Sequence, residues 1–160
     1  MARQSIAATP DPLRVREDRA IFRALRIVEQ RAGDRGPLLN DADEAGRYFR
    51  LRLGGETREH FEVAFLDAHH RLIACERLFS GALNGAEVHP RIIAQRALAL
   101  NAGAVILAHN HPSGNVKPSD SDRTVTFRIR QVLDLVDVRL LDHVVVSAQG
   151  YASMSAGRML

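Results

Sequence analysis

The 160 residues hold one cysteine, one lysine and no tryptophan. With Cys75 alone, no internal disulfide can form, and a zinc ribbon or finger built on several thiolates is excluded. No stretch approaches the roughly 18 apolar residues of a membrane-crossing helix, and Met1–Asp11 lacks the apolar centre of a signal peptide. A cytoplasmic protein without membrane partners is therefore expected. Aromatics are scarce, with six Phe and two Tyr, so the core must rest on Leu, Ile, Val and Ala. Apolar residues still make up 46%, which supports one packed α/β domain and excludes global disorder. The net charge is +3, carried almost wholly by arginine, with Lys117 the single lysine. No run of five basic residues occurs, and phosphate binding needs clustered charge, so DNA is only weakly supported as a partner.

Met1–Pro12 is small and polar and reads as a loose arm, followed by a helix and linker over 13–39. Ile21, Leu25 and Val28 recur at helical spacing within Arg14–Arg31. A second helix starts near Asp41, where Asp41 and Glu44 have capping-box spacing, and closes at Gly54-Gly55. Phe61–Asp67 is a short apolar run suited to a buried strand, His69-His70 a turn, and Arg71–Phe79 its hairpin partner, with Ile73, Cys75 and Phe79 on one face. Pro90 opens a helix ending near Asn101. Ala104–Ala108 reads as a buried strand, His109–Pro118 as a polar loop and Ser119–Val136 as a helix. Strands at Leu140–Ser147 and Tyr151–Met154 complete an α/β or α+β order with helices packed on a sheet.

The chemistry concentrates in Ala108–Asp122. His109 and His111, two apart at a strand end, point their rings to the same side. Asn110 between them points the other way and supports the loop. Pro112-Ser113-Gly114 turns the chain so that the next helix can bring Ser119 and Asp122 back toward the imidazoles. Two imidazoles and one carboxylate are three zinc ligands, which leave a fourth tetrahedral position for water, the arrangement of a catalytic site. Water attack needs a general base, and Glu59, just ahead of Phe61, is the first candidate, with Glu56, Glu62 and Glu76 competing. Ser119-x-x-Asp122 is also an ordinary helix cap. Among the other residues, His69 and His70 read as solvent-exposed, His89 as packed at a helix start and His143 as a structural hydrogen-bonding residue. Cys75 reads as a small core side chain, and Arg123, Arg128 and Arg130 as a solvated face.

His109-x-His111 with Ser119-x-x-Asp122 resembles the JAMM motif of MPN-domain metalloproteases. The wording of REHFEVAFLD (58–67), LFSGALNGAEVHPR (78–91), AHNHPSG (108–114), PSDSD (118–122) and LLDHVVVS (140–147) is similar to bacterial RadC proteins. The resemblance covers roughly residues 40–155, which sets a RadC-like MPN domain at 40–160. It implies an MPN/JAB-type fold, a cytidine-deaminase-like mixed sheet flanked by helices, in a bacterial cytoplasmic protein. It also implies zinc on His109, His111 and Asp122, Glu59 as the base, and Ser119 as the residue that steadies the oxyanion. The implied reaction is zinc-assisted hydrolysis of an amide bond in a protein or peptide. Ala82 and Ser147 depart from many relatives, at positions away from the ligands. The helix-hairpin-helix region of longer relatives has no counterpart in the roughly forty residues before the match, so a short form is expected. The rival expectations are a DNA-repair or recombination module with a structural metal, and a catalytically silent scaffold.

Overall fold

The computed structural model describes residues 12–33, 36–81 and 88–160. The expected arm lies outside them apart from Pro12, as does Ala82. The chain divides into two compact units, with the break between Arg35 and Gly36. The first contains α1 (Pro12–Gly33), the helix anticipated from the spacing of Ile21 and Leu25. The second contains α2 (Ala42–Leu53), β1 (His60–Leu66), β2 (Leu72–Ser80), α3 (Pro90–Ala99), β3 (Ala104–Asn110), α4 (Asp120–Asp134), β4 (Arg139–Val146) and β5 (Tyr151–Ser153). None of the described helices is long and apolar enough to cross a membrane.

The five strands form one sheet in the order β2-β1-β3-β4-β5. Only β3 and β4 are parallel neighbours, and α4 supplies the crossover that such a pair requires. This is the expected α/β class, a mixed sheet flanked by helices. The inner strands β1 and β3 are covered on both faces, which is why they read as unbroken apolar runs. On one face Phe61, Val63, Phe65, Val105 and Leu107 meet Ile93 and Ala97 of α3 and Ile129 and Leu133 of α4. On the other, Ala64, Leu66, Ala104, Ile106 and Ala108 meet Ala45, Phe49 and Leu53 of α2. The two-residue period then fixes what happens at the end of β3: His109 falls on the α3–α4 side and Asn110 on the α2 side.

α2 begins as expected, with Asp41 Oδ1 accepting from Glu44 N at 2.7 Å and Glu44 Oε2 accepting from Asn40 N at 2.9 Å. Its Gly46 lies against Tyr151 of β5, and a Cβ added there would meet the ring at 2.2 Å. Helix propensity alone favours alanine at this position by about 1 kcal/mol. The clash with a ring also held by its hydroxyl to Asp43 outweighs that gain, since overpacking costs about 1–3 kcal/mol. Gly46→Ala is therefore expected to lower the thermal midpoint by several degrees, at about 2–4 °C per kcal/mol for a chain of this size. A raised midpoint would show that α2 and β5 part easily.

One expectation fails in β2. Ile73, Cys75 and Phe79 do not share a face, because the β1–β2 register shifts between Phe61 and Glu62 and between Phe65 and Leu66. Each shift leaves one extra residue on β2 and reverses the alternation. Cys75 consequently packs beneath α2 while Phe79 joins the α3–α4 side, and Ile73 is 42% exposed. Cys75 is also more than an apolar filler: its Sγ lies 3.6 Å from Glu62 Oε2, and burial pushes its thiol up to about 12.

Candidate metal centre

β3 delivers His109 into the interior on the α4 side, and the chain leaves the sheet one residue after Asn110. His111 is tied down as it leaves, its N–H donating to Val146 O at 2.9 Å. Gly114 closes the following turn, donating to His111 O at 3.1 Å with φ +88°, a conformation in which a side chain would be strained. The loop expected from His109 thus starts two residues later, since His109 and Asn110 complete the strand.

α4 then starts with a reciprocal cap. Ser119 Oγ accepts from Asp122 N at 3.1 Å, while Asp122 Oδ2 accepts from Ser119 N and from Ser119 Oγ, both at 2.7 Å. These bonds occupy Oδ2 and leave Oδ1 facing His109 Nε2 at 3.3 Å. His109 Nε2 and His111 Nε2 are 3.0 Å apart, and one donor atom from each of His109, His111 and Asp122 lies within 4.8 Å of the others. The capping arrangement and the ligand arrangement are the same structure: the cap aims the carboxylate.

The donor set fits a metal ion. His111 Nδ1 lies 2.6 Å from Asn115 O, a carbonyl that can only accept, so Nδ1 carries the hydrogen and Nε2 turns a lone pair toward the other two ligands. Two imidazole nitrogens and one carboxylate oxygen are a borderline-soft set that suits zinc. His109 and Asp122 are buried, whereas the side chain of His111 is 17% exposed, which leaves the group open on one side. Among the described residues no fourth His, Cys, Asp or Glu joins it. Burial works against ionisation of Asp122, but hydrogen bonding and charge from His109 and bonds from Ser119 prevail and hold its carboxyl well below the usual range.

Behind the group lies His143, fully buried on β4, with Nε2 2.8 Å from His109 Nδ1 and Nδ1 2.5 Å from Thr126 Oγ1. The sequence reading gave His143 a structural hydrogen bond but no partner, and it overlooked Thr126. The available signal was a histidine within LLDHVVVS, since a polar ring in a buried strand must find partners. Burial, and then the neighbouring His109, push the His143 ring well below its ordinary value of 6.5. Asp122 and His143 are both depressed, so each contributes stability above its unfolded-state pKa that is lost as pH falls. The urea midpoint of the metal-free protein is expected to drop as pH is lowered from about 7 to 5, the window set by the ordinary histidine value. A midpoint that is flat or rises there would contradict a neutral buried ring.

Glu59 is half-buried, immediately ahead of β1. Phe61 pairs with His109 in the antiparallel ladder. That is the last rung between the two strands, and Glu59 lies two residues beyond it, beside the end of β3 that carries the imidazoles. Asn110, on the opposite face, holds the approach to β1: its Oδ1 accepts from His60 N at 2.8 Å and its Nδ2 donates to Arg58 O at 2.9 Å. It supports the Glu59 segment, where the sequence had suggested its own loop. The three competing carboxylates are engaged elsewhere. Glu62 is buried on the α2 side with Arg52 at 2.6 Å and Arg77 at 3.1 Å. Glu56 meets Arg77 at 2.8 Å, and Glu76 is bonded to Arg96. Of the other histidines, His69 is exposed, His70 is half-buried with Nε2 3.0 Å from Arg139, and His89 precedes α3 with its ring edge-on to Phe79. Arg123, Arg128 and Arg130 are exposed on α4.

A family profile described as "RadC-like JAB domain" matches residues 39–159. A UPF0758 protein of Xylella fastidiosa (strain 9a5c) is 56% identical over 112 residues, 70% of this chain and 50% of that protein. A UPF0758 protein of Xanthomonas oryzae pv. oryzae (strain MAFF 311018) is 54% identical over 113 residues, 71% of this chain and 50% of its own length. The chain thus spans about half the length of these relatives.

Proposed function

From the premise that the chain belongs to the RadC-like JAB-domain family, we propose that it is a zinc-dependent hydrolase that cleaves an amide bond in a protein or peptide, as a peptidase or isopeptidase. The observation that carries this reading is the convergence of His109, His111 and Asp122 donor atoms within 4.8 Å at an edge that stays open through His111. A zinc ion held there supplies Lewis acidity, polarising a carbonyl and lowering the pKa of water toward about 7. The chain's own groups do the rest. Glu59 accepts the proton of the attacking water at its carboxylate and delivers it to the leaving nitrogen. Ser119 turns its hydroxyl from Asp122 Oδ2 to the developing oxyanion, where a donor is worth most. A cleft of about 340 Å³ walled by Thr57, Asn110, His111 and Gln149 is the place for the substrate chain beside the metal position.

The test is metal analysis of the purified protein together with cleavage of peptide and isopeptide libraries before and after chelation. About one zinc per chain and chelator-sensitive cleavage are expected. Failure to take up zinc at saturating concentration would end this reading. A DNA-associated module with a structural ion would instead retain zinc, cleave nothing and bind DNA with a steep salt dependence, so a salt titration run beside the cleavage assay separates the two.

A further inference from the structure

A chain of hydrogen bonds runs behind the metal centre from one proposed ligand to another. Thr126 sits one helical turn after Asp122 on α4, with its Oγ1 2.5 Å from the main-chain oxygen of Asp122 and 2.5 Å from His143 Nδ1. His143 Nε2 lies 2.8 Å from His109 Nδ1. His109, Thr126 and His143 are all buried. A threonine hydroxyl has one proton, and a carbonyl oxygen can only accept. The proton of Thr126 is therefore committed to Asp122 O. The hydroxyl oxygen faces His143 as an acceptor, so His143 Nδ1 carries a hydrogen. A neutral ring protonated there offers a lone pair at Nε2, so His109 Nδ1 must be the donor in the next bond. That commits His109 Nδ1 to His143 and leaves Nε2 as the nitrogen aimed at His111 Nε2, 3.0 Å away, and at Asp122 Oδ1, 3.3 Å away.

We propose that His143 and Thr126 are positioning residues that hold a hydrogen on His109 Nδ1, so that Nε2 is the atom turned toward a metal. The opposite assignment is costly at both ends of the chain. With the only hydrogen of His109 on Nε2, two lone pairs would face each other across the 2.8 Å contact with His143. Reversing His143 to relieve that would leave two oxygens 2.5 Å apart at Thr126 and Asp122 with no proton between them. Buried groups left unsatisfied in this way are destabilising. His111 reaches the same state by a separate route, through Asn115 O. Outer partners that set ring orientation and tautomer are worth about 10–100-fold in metal affinity.

The consequence for affinity rests on the metal reading; the tautomer does not, and the experiment keeps the two apart. Long-range proton–nitrogen correlation spectra of metal-free protein, labelled with ¹⁵N-histidine, are expected to show a hydrogen on Nδ1 of both His109 and His143 near pH 8. A His109 ring whose only hydrogen is on Nε2 overturns the proposal whether or not zinc binds. Competition with a chromophoric chelator is expected to show zinc binding weakened about tenfold in Thr126→Val, a replacement close in volume, with the His109 spectrum redistributed between tautomers. Thr126→Ser should restore both. His143→Leu should weaken zinc by up to about 100-fold. If Thr126→Val folds, binds zinc as the parent does and keeps the parent tautomer, the proposal fails. If the parent takes up no zinc, the metal reading falls while the spectrum still decides the tautomer.

Discussion

Glu59→Gln is expected to leave zinc bound and to lower turnover by about 10²–10⁴-fold, the span attributed to a positioned general base. Glutamine keeps the shape of the side chain and loses its ability to take up a proton, so binding and chemistry separate. Glu62→Gln makes the comparison sharp. Glu62 lies on the α2 side of β1, gripped by Arg52 and Arg77. Its replacement should cost stability and spare turnover per folded molecule. Kinetics beside zinc stoichiometry for both variants would decide the matter. Full activity in Glu59→Gln, or collapse in Glu62→Gln alone, would move the base to a different carboxylate.

His109→Ala should abolish zinc binding and cleavage together. Two ligands would remain, and the deficit should exceed the about 10–100-fold ascribed to outer partners. His109 is buried against His143 and stacked near Phe61, with ring centroids 6.4 Å apart, so the variant also opens a cavity and strands His143 Nε2. Its thermal midpoint should fall. His111→Ala provides the control, because that ring is partly exposed and its loss should remove zinc with little effect on folding. Chelator competition on the folded fraction of each variant is the measurement. Parent-like zinc affinity in either would mean that the ion sits elsewhere.

The elements were legible because burial wrote itself into the sequence. Ala104–Ala108 is apolar throughout because α2 covers one face and α3 and α4 the other. The convergence of His109, His111 and Asp122 was legible because its geometry is local: a strand end, a turn built around Gly114 and a helix cap. β2 was misread because its two irregularities answer to pairing with β1, and nothing in Leu72–Ser80 announces an extra residue. The partnership of His143 with His109 was hidden for a related reason. It arises from the parallel alignment of β3 and β4, thirty-four positions apart in sequence, and from a threonine whose role depends on the helix facing them.

Asn110 stitches the backbone ahead of β1 to the end of β3 from behind the two imidazoles. The gap between Glu59 and the histidines is therefore counted in rungs of one ladder, not measured out by loops. Deleting a single residue within β1 would reverse the side on which Glu59 falls, although every functional group would still be present. Deleting two would restore its side but draw it about 6–7 Å along the strand, beyond reach of the histidines. The two strands can thus accept changes of side chain far more readily than changes of length, and their length is as much a part of the candidate site as any residue they carry.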